Sequence, residues 1–273
     1  MRLAVSAAIL AGTLLLAGCG GGSGSLPLPK IAPATVSPPA GAVVDARQWG
    51  TRDLGLARNG DTATVTVVDD QGHGVDGLSL RIDGRVAAPC GSGCYRSRTA
   101  AGTVVVASGA SSWRFTLPRS APSARPAIAA AQRAYTRLQS VRLRQQLDSG
   151  PGVGIETRFL FVAPDRLRYT ISGGTEAVVI GNRRWDRSSP KDPWARSAQQ
   201  PVRVMHLPWD RVTNAHVIAP NTITFFDLNA RAWFWAVLDP KSSLPSTERM
   251  TGIGHFMVNR YSGFDAPATI AAP

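Results

Sequence analysis

The chain has 273 residues, a formal charge of +12 and a composition that is 44% hydrophobic and 18% charged. This is the balance of a globular chain, and it excludes a charge-rich disordered one. The positive charge is nearly all arginine, since lysine occurs only at Lys30, Lys191 and Lys241. Such a bias can signal nucleic-acid binding. Here the arginines alternate with apolar residues, as in Val141-Arg142-Leu143-Arg144 and Arg166-Leu167-Arg168-Tyr169, and no long basic run occurs. The pattern reads as a solvated strand face attracted to anionic headgroups, and nucleic acid is not an expected partner.

At the N-terminus, Met1-Arg2 forms a minimal positive segment and Leu3 to Leu16 carries no charge. The stretch falls short of the roughly 20 apolar residues of a permanent membrane helix and has the form of a secretion signal. It runs into Leu16-Ala17-Gly18-Cys19, which resembles the lipobox of bacterial lipoprotein signals. The resemblance implies cleavage before Cys19, a diacylglycerol thioether on its thiol, and often an acyl chain on the freed amine. At about 0.8 kcal/mol per buried methylene, two or three chains make a stable anchor where one is marginal. Residues 1–18 are therefore expected to be a signal peptide. Residues 19–42 are the lipidated cysteine with a tether, flexible over Gly20–Ser25 and stiffer over Pro27 to Pro39. The expected location is extracytoplasmic, lipid-anchored to the cell membrane.

Residues 43–117 alternate with period two. Ala63, Val65 and Val67 interleave with Thr62, Thr64 and Thr66; Leu78, Leu80 and Ile82 with Ser79, Arg81 and Asp83; Trp113, Phe115 and Leu117 with Arg114 and Thr116. Turn signals separate the runs at Asn59-Gly60-Asp61, Asp69–Gly72, Asp83-Gly84 and Cys90–Cys94. Short strands at this spacing predict a small antiparallel β-sandwich. Cys90-Gly91-Ser92-Gly93-Cys94 is a tight loop in which a disulfide is sterically easy. A metal site would want further thiols or histidines nearby, and a redox motif would have two intervening residues rather than three. The order strand, Asp-x-x-Gly turn, Gly-Val-Asp-Gly-Leu (Gly74–Leu78) and strand ending in a cysteine loop resembles the immunoglobulin-like modules of copper-resistance D-type membrane proteins. More loosely it resembles YtkA/FixH-like domains.

Residues 118–126, rich in Pro and Ser, read as a linker. Pro126 suits a first helical turn, and Ile128, Ala131, Tyr135 and Leu138 recur at helical spacing, which predicts one amphipathic helix over Ala127–Ser140. The period then returns to two. Val141, Leu143 and Leu147 alternate with Arg142, Arg144, Gln146 and Asp148. Further strands are expected at Ile155–Ala163, Leu167–Ile171, Glu176–Ile180 and Arg184–Arg187. They resume at Thr213–Ala219, Thr222–Asp227, Ala232–Leu238, Ser246–Met250 and His255–Tyr261, as an antiparallel meander. Ser188 to Pro208 is less regular and is expected to hold a short helix or lid. This second domain covers residues 127–265, followed by a disordered tail, residues 266–273.

Three phrases mark that domain: Phe-Val-Ala-Pro-Asp-Arg-Leu-Arg-Tyr (Phe161–Tyr169), Val-Ile-Gly-Asn-Arg-Arg-Trp-Asp-Arg (Val179–Arg187) and Leu-Asp-Pro-Lys-Ser-Ser-Leu-Pro (Leu238–Pro245). A helix leading into a meander with these phrases resembles the LolA/LppX-type fold of bacterial lipoprotein carriers and lipid-binding lipoproteins, from Ala130 to Phe264. The closing His255–Phe264 segment is also similar to tails of the copper-resistance fusions. The resemblances imply a mainly β chain: an N-terminal immunoglobulin-like β-sandwich plus a C-terminal curved antiparallel half-barrel packed on a helix, whose hollow shelters acyl chains.

Phe159–Val162 and Ala232–Leu238 are apolar on both strand faces, so both faces must be covered. One can pack on the helix. The other needs a lid, a partner, a ligand, a second helix or the first domain. Trp185, Trp194, Trp209, Trp233 and Trp235 suit an aromatic-lined pocket and an ordinary core alike. The expected lining is Phe159, Phe161, Tyr169, Trp185, Phe225, Trp233, Trp235 and Met257. The expected function is binding or carrying a lipid, another apolar ligand or an acylated client at the membrane, without a cofactor. An envelope membrane protein is a further expected partner.

The alternative is metal handling, with soft ligands for copper at Met205, His206, His216, Met250, His255 and Met257. Their spacing is poor, and His255 and Met257 merely share a strand face. A structural, protein-interaction role is the third reading. Enzyme motifs such as Gly-x-Ser-x-Gly, His-Glu-x-x-His or a Walker loop do not occur in the required context, so no catalytic residue is expected. Asp210, near His206 and His216, is the one loose acid–base candidate.

Overall fold

A computed structural model describes residues 37–100, 102–150, 152 and 154–273. The predicted signal segment and Cys19 lie outside the described residues. The first unit contains β1 (Val43–Trp49), β2 (Arg52–Asn59), β3 (Thr62–Val68), β4 (Arg81–Ile82), β5 (Arg85–Val86), β6 (Ala88–Gly91), β7 (Cys94–Arg98), β8 (Thr103–Ser108) and β9 (Ser111–Thr116). These strands form two antiparallel sheets, ordered β1-β2-β3-β7-β6 and β5-β4-β8-β9. Alternation sends Leu54, Leu56, Val65 and Val67 of one sheet and Val104, Val106 and Phe115 of the other into one buried cluster, so the sheets face each other. The run at Leu78–Asp83 is strand only at Arg81–Ile82, because the Leu78 amide donates to the Tyr95 hydroxyl instead of to a neighbouring strand. A Cys90–Cys94 disulfide closes the β6–β7 hairpin.

Helix α1 (Arg125–Thr136) begins with Pro126 in its first turn and buries Ile128, Ala131 and Tyr135, the i, i+3 and i+4 pattern of one apolar face. It stops short of Ser140. The Arg137 and Leu138 amides tighten onto the Ala134 and Tyr135 carbonyls, and Ser140 already begins the next strand. That strand is β10 (Ser140–Asp148), followed by β11 (Gly154–Val162), β12 (Arg166–Ile171), β13 (Glu176–Ile180), β14 (Arg183–Arg187) and β15 (Ala195–Ala198). A second meander is β16 (Val212–Ala219), β17 (Thr222–Asp227), β18 (Ala232–Leu238), β19 (Pro245–Gly252) and β20 (His255–Ser262). The two meanders join where β10 pairs with β20, giving one 11-stranded antiparallel sheet with β15 and β16 at its edges. The chain is mainly β, with one helix among the described residues.

The inner face of this sheet presents Leu143, Phe159, Phe161, Tyr169, Phe225 and Phe234 to α1 and to Val204, Met205, Leu207 and Trp209. Between Ser188 and Pro208 there is thus no helix. The segment supplies edge strand β15 and an irregular connection, residues 199–211, which runs from β15 to β16 and helps α1 cover the inner face. Pro201 and Pro208 interrupt it near both ends, which leaves no helical run between them long enough to form a regular helix.

On the outer face, Phe226 and Trp233 pack against Val44, Ala46, Ala57 and Val68 of the first unit. Gly55 faces the Trp233 ring so closely that a Cβ there would overlap the indole. The linker is tied down as well: the Ala124 amide donates to the Ala215 carbonyl and the Val217 amide to the Pro122 carbonyl, which shields edge strand β16. Residues 266–273, expected to be disordered, have no regular element but are held. Ile270 is buried, its carbonyl accepts from Arg166 Nη1 at 2.7 Å, and the Ser140 hydroxyl donates to the Ala266 carbonyl at 2.6 Å.

Candidate functional site

The inner face of the large sheet is the place where apolar surface, buried polar groups and an irregular cover come together. Its apolar part has two aromatic groups. Phe159 stacks with Phe161 at 5.6 Å and meets Tyr169 at 5.7 Å, while Phe225 stacks on Phe234 at 4.9 Å and meets Trp209 edge-on at 5.2 Å. Strand register explains the grouping. Phe159 pairs with Tyr169 on β12, and Phe225 pairs with Phe234 on β18, so these rings are cross-strand neighbours on one face.

Between the two groups lies a buried polar cluster centred on Glu248, which is 1% exposed. Trp209 Nε1 donates to Glu248 Oε2 at 2.7 Å, Asn259 Nδ2 donates to Oε1 at 2.7 Å, and the Tyr261 hydroxyl donates to Oε1 at 3.4 Å. Gln145 Nε2 donates to Asn259 Oδ1 at 3.1 Å. No cation pairs with Glu248 among the described residues, and burial pushes its carboxyl above the usual range despite the three neutral donors. The same burial, with Glu248 adding to it, pushes the hydroxyls of Tyr135 and Tyr261 upward. Gln132 of α1 donates to the Trp209 carbonyl at 2.7 Å, so Trp209 joins the connection to both the helix and the sheet.

Near the β15 edge, Arg184 Nη2 donates to the Tyr169 hydroxyl at 2.7 Å and its Nε to Asp186 at 2.7 Å. This closes that end of the inner face with a polar rim. Two open grooves of about 350 and 250 Å³ lie elsewhere, on the first unit, and share Thr62 and Arg96.

Solved structures that resemble part of this chain include two LolA-like folds. One is a LolA superfamily protein from Nitrosomonas europaea, 11% identical, with a TM-score of 0.34, over 55% of this chain and 96% of the other. The second is LprF from Mycobacterium bovis, 13% identical, with a TM-score of 0.36, over 56% of this chain and 99% of the other. Neither likeness is close enough to bear weight on its own. No family model and no curated protein matches the chain.

The eight expected lining residues do not share one surface. Phe159, Phe161, Tyr169 and Phe225 stand together in the inner core, and Met257 lies on the same face of β20, paired with Leu147. Trp233 is buried against the first unit. Trp235 faces outward under the Arg249 guanidinium, 4.3 Å from the ring centre, and Trp185 faces outward opposite Val178. The alternation of side chains along β14 and β18 was the signal that separates Trp185, Trp233 and Trp235 from Phe234. The residues that sequence reasoning missed are Glu248, Asn259 and Gln145, which sit at inner-face positions of otherwise ordinary alternating strands.

The candidate copper ligands are scattered. Met205 is packed in the core, His206 Nε2 bonds Asp210 Oδ1 at 2.9 Å, and His216 and His255 turn their Nδ1 atoms to the Asn214 and Ile253 carbonyls. His216 and His255 stand on β16 and β20 with three strands between them, roughly 19 Å apart at about 4.8 Å per strand. Among the described residues no group of three or more His, Cys, Asp or Glu side chains converges on a metal position. Asp210 is occupied by His206, and His216 is not part of that pair. No helix among the described residues is long and apolar enough to cross a membrane.

Proposed function

We propose that the protein is an extracytoplasmic lipoprotein, anchored through Cys19, that binds a lipid, another apolar ligand or an acylated client at the inner face of its large sheet. In this reading the large sheet and α1 form a LolA/LppX-like half-barrel, and the immunoglobulin-like first unit braces its outer side. One observation carries the proposal. The aromatic inner face is covered on one side by an irregular connection rather than by a second helix, and Trp209 is the main polar tie that holds it, through Glu248 and Gln132. A cover without regular backbone hydrogen bonding opens at lower free energy than a packed helix. When it lifts, Phe225, Phe234 and Phe159 line an apolar space, and the Glu248–Asn259–Gln145 cluster offers hydrogen bonds to a polar head.

The test is native mass spectrometry of protein isolated from the membranes of its own host, together with titration by a fluorescent fatty acid. The expected result is co-purifying lipid and saturable probe binding, with Trp209→Ala raising the probe's association rate several-fold. Absence of lipid, with no probe binding by either form, would overturn the proposal. The anchor is tested separately: Cys19→Ser should move the protein from the membrane to the soluble fraction in high salt.

A further inference from the structure

The outer face of the large sheet is divided. The first unit covers it around β17 and β18, through Phe226 and Trp233. The remaining strands, β20 and β10 to β15, turn an arginine array to the outside. Pairing register places Arg260 of β20 beside Arg144 of β10, and Arg144 beside Arg158 of β11. In the next row across the sheet, Arg142 pairs with Leu160, Leu160 with Arg168, Arg168 with Val178, Val178 with Trp185 and Trp185 with Arg196. All of these arginines are exposed.

Like charges directly opposite one another destabilise a sheet, and here three arginines stand side by side on adjacent strands. Internal compensation is partial. Glu156 serves both Arg144, at 2.6 Å, and Arg158, at 3.0 Å, while Glu176 serves Arg168 and Arg187. Arg142, Arg183, Arg196 and Arg260 have no ion pair among the described residues. Exposed positions are the cheapest to change to lysine, glutamine or threonine, so a repulsive arginine array implies an external anion. Arginine's planar fork grips phosphate in two-point fashion, which lysine does not.

The spacing selects a surface rather than a groove-bound polymer. The array spans seven strands, roughly 29 Å at about 4.8 Å each, with Leu160 and Trp185 half-buried among the charges. An indole between arginines suits the headgroup level of a bilayer, where one part of the ring is apolar and its N–H is wet. We propose that this face docks on an anionic lipid bilayer, its arginines on headgroup phosphates and Trp185 at the headgroup level. The proposal does not depend on what the inner face binds.

The test uses the expected mature chain without its acyl-bearing cysteine, residues 20–273, so that neither the apolar signal segment nor an acyl anchor contributes. It is sedimented with vesicles of phosphatidylcholine with or without phosphatidylglycerol. Binding is expected only when phosphatidylglycerol is present, and it should weaken as salt is raised. Each arginine at such a surface is worth about fivefold in partitioning, so Arg142→Gln, Arg196→Gln and Arg260→Gln together should lower binding about a hundredfold. Arg85→Gln, Arg98→Gln and Arg114→Gln together, on the first unit, should leave it nearly unchanged. The blue shift of tryptophan fluorescence on vesicles should shrink in Trp185→Phe. Equal loss in both triple variants, equal binding to uncharged vesicles, an unaltered blue shift in Trp185→Phe, or tighter arginine-dependent binding to duplex DNA would each overturn the proposal. Circular dichroism of both triple variants verifies that they are folded.

Discussion

Glu248 is a carboxylate embedded in an apolar layer, held by Trp209, Asn259 and Tyr261. Replacing Trp209 by Phe keeps the ring and removes its donor, leaving Oε2 of Glu248 without a partner. The expected loss is about 1–3 kcal/mol in urea unfolding. Asp53 sits at the seam between the two units, 0% exposed, with the Gly254 and Ile253 amides near its carboxylate but no hydrogen bond of full geometry to either oxygen. Burial outweighs the favourable amides of Gly254 and Ile253, and pushes its pKa from 3.8 up to about 7. A carboxyl raised in the folded state contributes stability that is complete below its unfolded value and lost as pH rises through its folded value. Unfolding free energy should therefore fall from pH 3.8 to about 7, by about 1.4 kcal/mol per pH unit from this group alone. Asp53→Asn should flatten that part of the profile, as measured by urea unfolding at a series of pH values. Glu248 contributes a slope of the same sign, beginning in the ordinary carboxylate range, which Glu248→Gln should remove.

At the scale of elements, strand β2 has both faces buried: Leu54 and Leu56 look into the first unit, while Gly55 and Ala57 look toward the large sheet. The small residues are what allow the Trp233 indole to lie flat on the strand. Gly55→Ala should cost about 1–3 kcal/mol by overpacking, with a larger effect on the contact between units than on either unit's own core. Thermal unfolding followed by near-ultraviolet circular dichroism would register it. The Cys90–Cys94 bridge closes a very short loop, so the chain-entropy account makes Cys90→Ser with Cys94→Ser worth about 2 kcal/mol. Much at this scale was legible in the sequence. Strands Thr222–Asp227 and Ala232–Leu238 stand where alternation and turn residues put them, and Pro126 marks the helix start. Less legible was anything decided by a distant neighbour. Nothing local to Trp233 says that Gly55 receives it, and nothing local to Ile270 says that the tail will pack. The candidate site was legible in its aromatic half, through Phe159, Phe161, Tyr169 and Phe225. Its polar half was not, because a lone Glu or Asn in an alternating strand carries no mark of the face it occupies until register is known.

For the whole molecule, the large sheet is a middle layer with α1 and residues 199–211 on one side and the first unit on part of the other. Trp233→Ala removes the largest side chain from the seam. It should uncouple the units, so that scanning calorimetry resolves two transitions where the parent protein shows one. The connection over the inner face has a mechanical meaning. It leaves edge strand β15 where the Gln199 amide donates to the Asn182 carbonyl of the β13–β14 turn, and it enters the opposite edge strand β16 just after the Arg211 amide donates to Asp227 of neighbouring β17. Laid flat, those edges would be roughly 48 Å apart at about 4.8 Å per strand. From Ala198 to Val212 the connection has 14 residue steps, about 49 Å at about 3.5 Å per residue if fully drawn out. It is not drawn out, since the Trp209 amide folds back onto the Leu207 carbonyl. The segment is a tie between the two edges: with its chain folded over the inner face, they stand nearer together than in a flat sheet. Glycines inserted after Gln200 lengthen the tie, and spin labels on β15 and β16 should then report a broader spread of distances.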